Sequence, residues 1–194
     1  GKTELARALK LKVNQIRIMT SYVGGDFGDK GNLERQHIIT ALLAQKAGRP
    51  VKLEFTREEN FPVAHHRYAT TWQLKYGVKK DGTLTAIQAK LYAESGAFYH
   101  FDCAVGALDV PRIVYRCPNV KLEGYNVFTN KPESGLMRCV GHPAGMFPQE
   151  VHMDRLAEKL GMDPLEFRLK NYARKEDGDQ DKKLPYASVG MEEC

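Results

Sequence analysis

No stretch of this 194-residue chain approaches the roughly 20 consecutive apolar residues that a membrane span needs. No pair of its four cysteines (103, 117, 139 and 194) forms C-x-x-C, and no histidine spacing completes a zinc site around them. No secretory signal stands before them, so they read as free thiols in a reducing, cytoplasmic compartment. No basic stretch interleaved with aromatics appears, the longest basic runs being Lys79-Lys80 and Lys182-Lys183, and a nucleic-acid module is therefore not expected. Internal repeats and low-complexity tracts are missing too. So is an initiating methionine, and Gly1-Lys2-Thr3 leading straight into a helical pattern suggests a piece cut from a longer polypeptide.

The rest is a globular composition, 42% hydrophobic and 27% charged. The formal net charge of +5 reads as a solvated surface with lysine in excess, although it would also suit an anionic ligand.

Local patterns predict the elements. Thr3 is placed to cap a short helix carrying Leu5, Ala6 and Leu9. Val13 to Ser21 reads as a strand. The run Gly24-Gly25-Asp26-Phe27-Gly28-Asp29-Lys30-Gly31 follows. Asn32 is then placed to cap a helix whose pairs Ile38/Leu42 and Ile39/Leu43 predict one buried face, stopped at Gly48-Arg49-Pro50. Val51, Leu53 and Phe55 alternate as a half-buried strand does. A hairpin is predicted from Trp72, Leu74, Tyr76 and Val78, the turn Asp81-Gly82 and a return strand through Leu91, with a period slip at Ala86-Ile87 that signals a bulge. Residues 96–118 are irregular with one short helix, and 120–128 form a strand. Residues 135–145 form a loop. A helix follows with Met153, Leu156, Ala157 and Leu160 on its core stripe and Gly161 at its end. Asp163-Pro164-Leu165-Glu166 opens a last helix. The expected fold class is α+β: an antiparallel or mixed sheet with a long hairpin and packed helices. Residues 1–173 are expected to form one domain portion and 174–194 a charged, mobile loop and C-terminal segment.

Two places could carry chemistry. Four glycines crowd the 24–31 loop, where backbone N–H groups can approach an anion near a helix N-terminus. It is not a P-loop, since Gly25 is three residues from Gly28 and Gly31 follows Lys30. Asp26-Phe27-Gly28 lacks the rest of the kinase signature. By themselves the residues suit a tight β–α turn better than a ligand cradle. Arg138, between Gly135 and Gly141, offers a planar fork for an oxygen-rich ligand, although taken by itself it reads better as the partner of a local carboxylate such as Glu133. His65-His66 cannot both face one metal, because adjacent side chains diverge. His142 reads as stabilising its own loop. Glu58 and Glu59 make no convincing acid/base pair, and no nucleophile triad is legible.

Taken in order, these strings resemble the large, molybdopterin-binding subunit of the xanthine dehydrogenase/aldehyde oxidase family. The pieces are Gly24-Gly25-Asp26-Phe27-Gly28-Asp29-Lys30, Arg49-Pro50-Val51-Lys52-Leu53, Thr56-Arg57-Glu58-Glu59, Asp81-Gly82-Thr83-Leu84, Tyr115-Arg116-Cys117-Pro118-Asn119, Met137-Arg138 and Leu160-Gly161-Met162-Asp163-Pro164-Leu165. The resemblance implies part of a molybdopterin-binding domain, with molybdopterin or its cytosine dinucleotide as cofactor. It implies cofactor contacts at Gly25, Phe27, Gly28 and Arg138, and a substrate pocket touching Gly31, Gly106, Met137 and Val140. The implied activity is hydroxylation of an aldehyde, N-heterocycle or related carbon with water as oxygen donor. Iron–sulfur and FAD groups are implied on other domains or subunits.

The sequence departs from the family in places. Cys139-Val140-Gly141-His142-Pro143-Ala144 replaces the Gly-x-Gly-x-Pro-Gln that follows the family arginine. Gly31 and Gly106 stand where xanthine-specific members carry glutamate and arginine, which argues against a purine substrate. Neither the family's glutamate base nor the iron–sulfur cysteines match any residue here, so no catalytic residue or direct metal ligand is expected in this chain, which would be inactive alone. Two other readings stand beside this one. One is a reductive member removing a hydroxyl from an aromatic CoA thioester. The other is a non-catalytic anion-binding or interaction module on the same scaffold.

Overall fold

The structure, a computed structural model, describes residues 1–178 and 185–194. The described chain divides into two compact units. The first comprises residues 1–66 with 136–138, and the second 67–135 with 139–194.

The first unit is built from helices and extended chain. Helix α1 spans Lys2–Leu9, α2 Arg35–Ala47 and α3 Arg57–Val63. Thr56 caps α3: its Oγ1 accepts from the Glu59 amide while Glu59 Oε2 accepts from the Thr56 amide at 2.8 Å. This reciprocal pair is a capping box, and it sets the helix where local periodicity assigns nothing to Thr56-Arg57-Glu58-Glu59. Two expected strands are corrected. Residues 13–21 form a single 3₁₀ turn, Val13–Gln15, followed by extended chain. Residues 51–55 do alternate between half-buried and exposed, but they too pair with no strand. Alternation reports a two-faced environment, whereas a strand also requires a ladder partner. Helix α2 differs as well. Glu34, not Asn32, is its N-cap, and Ile39, Leu42 and Leu43 remain close to half exposed instead of forming a buried face.

The second unit carries the sheet. Strand β1 is Thr70–Val78, β2 Leu84–Gly96 and β3 Val120–Phe128, in the order β1-β2-β3. The β1–β2 pair is the predicted hairpin. Its register shifts where Gly77 faces Ala86 but Val78 faces Leu84, which makes Thr85 the extra residue, one position before the expected slip. Strand β3 runs parallel to β2. A parallel return needs a crossover, and helices α4 (Cys103–Leu108) and α5 (Val110–Ile113) lie within it, two helices where one was expected. The long helix α6 runs His142–Leu160, starting inside the segment read as loop to Gly145, and ends at a left-handed Gly161. Helix α7, Pro164–Asn171, is capped by Asp163 Oδ1, which accepts from the Leu165 and Glu166 amides at 2.8 and 3.0 Å.

Two apolar clusters hold this unit together. One joins Leu84, Ile87, Tyr115, Cys117, Met153, Ala157 and Phe167. The other joins Tyr68, Leu91, Ala93, Cys103, Ala104 and Ala107. Small residues let α4 and α6 approach: a Cβ on Gly145 would fall 2.4 Å from the Ala107 carbonyl oxygen. Residues 174–178 include a 3₁₀ turn at Lys175–Asp177, and the remainder of the expected mobile stretch, 179–184, lies outside the described residues. Among the described residues no helix is long and apolar enough to cross a membrane.

Candidate functional site

The glycine loop is closed on itself by Asp26. Its Oδ1 accepts from the Gly28 amide at 2.8 Å and the Lys30 amide at 3.0 Å. These backbone donors hold its carboxyl below the usual carboxylate range. Lys30 Nζ folds back and donates to the Gly25 carbonyl at 2.9 Å. Two of the amides expected to face a ligand therefore turn inward, toward a side chain of the loop itself. Helix α2 does not begin until Arg35, so the loop is not seated on a helix N-terminus as its sequence suggested.

The loop instead presents a ring and a docking edge. The Phe27 ring lies over Gly25, where a Cβ would come within 2.8 Å of it, and is 59% exposed. Gly28 has φ 123°, which strongly favours glycine. Its missing side chain admits the backbone of residues 136–138: the Arg138 amide donates to the Phe27 carbonyl at 2.8 Å. The Arg138 guanidinium then stands 6.0 Å from the Phe27 ring centroid, at the outer reach of a cation–π contact, and the residue is exposed. Residues more than roughly a hundred positions apart in sequence thus share one surface of the first unit.

The remaining predicted positions behave differently from one another. Met137 lies between Leu136 and Arg138 and is half-buried. At Gly31 a Cβ would meet only Asp26 Oδ2 and Leu136 Cδ1, both at 3.8 Å, so the position has room for a side chain and leaves that space open. Gly106 and Val140 meet each other in the second unit, where a Cβ on Gly106 would fall 2.3 Å from the Val140 carbonyl oxygen. Gly106 accordingly serves close packing of α4 on the turn at 139–141. That turn holds Cys139 at φ 66° and Gly141 at φ 89°, and His142 Nδ1 lies 3.2 Å from the Cys139 carbonyl oxygen, the loop-stabilising role expected of it. His65 is buried with Nε2 3.3 Å from Glu34 Oε2, while His66 is exposed, so the adjacent histidines do diverge.

Sequence reading passed over Asp26 and Leu136. Asp26 had a legible signal, an Asx residue two positions before a glycine in a turn. Leu136 had none, because it contributes a backbone carbonyl that any residue could supply.

An exposed guanidinium beside an exposed aromatic ring offers a planar fork of donors suited to an anionic, oxygen-rich ligand. The Molybdopterin cofactor-binding domain family matches residues 2–172. A probable xanthine dehydrogenase component of Bacillus subtilis is 39% identical over 90% of this chain and 24% of its own length. The "Nicotinate dehydrogenase large molybdopterin subunit" of Eubacterium barkeri is 36% identical over 87% of this chain and 40% of its own. Among solved structures, the aldehyde oxidoreductase of Desulfovibrio gigas superposes with a TM-score of 0.87 at 31% identity, covering 99% of this chain and 21% of that one. The chain thus spans well under half the length of each of these relatives. With the family match running through both units, the chain belongs to the molybdopterin cofactor-binding domains of the molybdenum hydroxylase large subunits.

Proposed function

We propose that this chain supplies one wall of the molybdopterin site in a molybdenum-dependent hydroxylase. The observation that carries the reading is the junction of the two loops: the Arg138 amide bonded to the Phe27 carbonyl, with the guanidinium beside the Phe27 ring. Gly25, Phe27 and Gly28 line the cofactor side, and Arg138 pairs with its anionic oxygens through its planar fork. When bound, the cofactor supplies two-electron oxidation of a carbon centre with water as the oxygen donor.

The chain's own residues hold and orient. The Asp26 cage fixes the loop before any ligand arrives, so little ordering entropy is left to lose on binding. Gly31 and Met137, both in the first unit, are the substrate-side positions. The open space at Gly31 and the closed packing at Gly106 remove the polar anchors of a purine and favour an aldehyde or an N-heterocycle. The names of the E. barkeri and D. gigas relatives, a nicotinate dehydrogenase and an aldehyde oxidoreductase, lend support to that range. Iron–sulfur and flavin domains or subunits carry the electrons away, the rest of the large subunit provides the general base, and the assembly is cytoplasmic. This chain alone is inactive.

The test is metal and pterin analysis of the large-subunit polypeptide carrying this sequence, expressed in a host that makes the cofactor. Stoichiometric molybdenum with a fluorescent pterin oxidation product is expected. A folded polypeptide with neither would instead favour the non-catalytic anion-binding module.

A further inference from the structure

We infer that the first unit carries a recognition site for a small carboxylate with an apolar body, in a cavity of about 590 Å³ beside the glycine loop. The inference rests on the molybdopterin reading only in taking this ligand to be the substrate, and the cavity stands by its own chemistry. Its volume lies in the range of small-molecule sites, about 300–1,000 Å³. Its wall takes in residues 29–33, which directly follow Phe27 and Gly28, and so includes the side-chain-free position Gly31.

The lining has two characters. Ile18, Val23 and Leu33, with Leu5, form an apolar wall. Ile18 and Val23 are both about half exposed, at 51% and 53%, and would lose that contact with water when a hydrocarbon body enters. Arg17, Lys30 and His37 bring positive charge and donors to the same cavity. Lys30 is partly engaged, since its Nζ already donates to the Gly25 carbonyl. His37 Nδ1 accepts from the Glu34 amide at 2.9 Å, which puts the proton of the neutral ring on Nε2 and makes it a second donor. Arg17 is the residue with the planar fork that matches two carboxylate oxygens. Asp29 also lines the cavity and opposes an anion. One carboxylate against Arg17 and Lys30 leaves a net positive lining, and the apolar wall disfavours a fully hydrated ion such as phosphate.

The experiment is a transverse-relaxation-optimised NMR titration of the cofactor-free large-subunit polypeptide that carries this sequence, using benzoate, its neutral isostere benzamide, and inorganic phosphate. The expected result is that benzoate shifts amides in 17–23 and 29–33 and binds at least about tenfold more tightly than benzamide or phosphate, the size of one charge-assisted pair. Arg17→Gln brings benzoate to within about threefold of benzamide, and Arg17→Lys restores part of the preference. Equal binding of benzoate and benzamide overturns the inference. So does phosphate binding as tightly as benzoate, or shifts confined to the second unit. Should Arg17→Gln fail to fold, the wild-type comparison and shift map still decide. These measurements involve neither Arg138 nor molybdenum, so their failure is distinct from failure of the cofactor reading.

Discussion

The backbone carbonyl of Leu136 occupies the place where a side chain on Gly28 would begin: a Cβ there would sit 2.0 Å from the Leu136 oxygen. That close approach brings residues 136–138 against the loop, and with φ 123° Gly28 has no alternative residue that fits without moving backbone. Gly28→Ala is expected to destabilise the chain by about 2–4 kcal/mol, read from urea midpoints at constant slope. A loss within about 0.5 kcal/mol, the size of a surface substitution, would show that the two segments are not packed in this way.

Asn171 is the polar hub of the second unit. It is buried, its Oδ1 accepts from the Leu84 amide at 2.9 Å, and its Nδ2 donates to the carbonyls of Gly82 and Phe167 at 2.8 and 2.9 Å. Asn171→Leu strands these backbone groups away from water, and the expected cost is about 2–4 kcal/mol. Calorimetry would report it as a drop in Tm, and an unchanged Tm would refute the role.

Acid should weaken the fold before its carboxylates titrate. Burial chiefly opposes protonation of His152, with Arg155 and Lys159 adding to it, and burial likewise lowers His65 despite the opposing Asp29. Both folded values thus lie below the ordinary 6.5, and the unfolded chain takes up more protons. Stability is then complete above about pH 6.5 and falls as pH drops through the folded values. His152→Phe keeps a ring against Tyr76, whose centroid is 4.7 Å away, and removes one titrating group. The difference in urea midpoint between about pH 7.5 and about pH 5 should shrink in that variant. An identical difference would exclude His152 as a source.

The thiols should separate by burial. Cys103 is fully buried, and desolvation pushes its pKa up to about 11, with Cys117 raised for the same reason. Cys139 and Cys194 are exposed. Brief alkylation of the native chain followed by peptide mapping should mark Cys139 and Cys194 and spare the other two. Comparable labelling of Cys103 would contradict the packing of α4.

Much of the fold could be read from local patterns, for reasons visible in particular elements. The β1–β2 hairpin, the Gly161 stop and the Asp163 cap are encoded by neighbours in sequence, so period and turn chemistry sufficed. Residues 13–21 and 51–55 misled because strand identity depends on a partner that local sequence does not contain. Helix α3 was hidden by Pro62 within it, although its capping box was in plain view at Thr56 and Glu59. The site was less legible. Spacing alone left the glycine loop and Arg138 as two separate features, and family resemblance joined them. Their junction consists of main-chain groups, the Phe27 carbonyl and the Arg138 amide, which carry no residue-type signal.

The central claim is that Phe27, Gly28 and Arg138 form a cofactor-holding surface. Its most direct test is the molybdenum-to-protein ratio of the large-subunit polypeptide bearing Arg138→Ala, purified beside wild type from a cofactor-producing host, with folding checked by circular dichroism. Loss of one charge-assisted pair, about 1.5–3 kcal/mol, predicts a roughly ten- to hundredfold weaker hold on the cofactor and a clear fall in bound molybdenum and pterin. Full occupancy, resistant to extended dialysis as in wild type, would contradict the account.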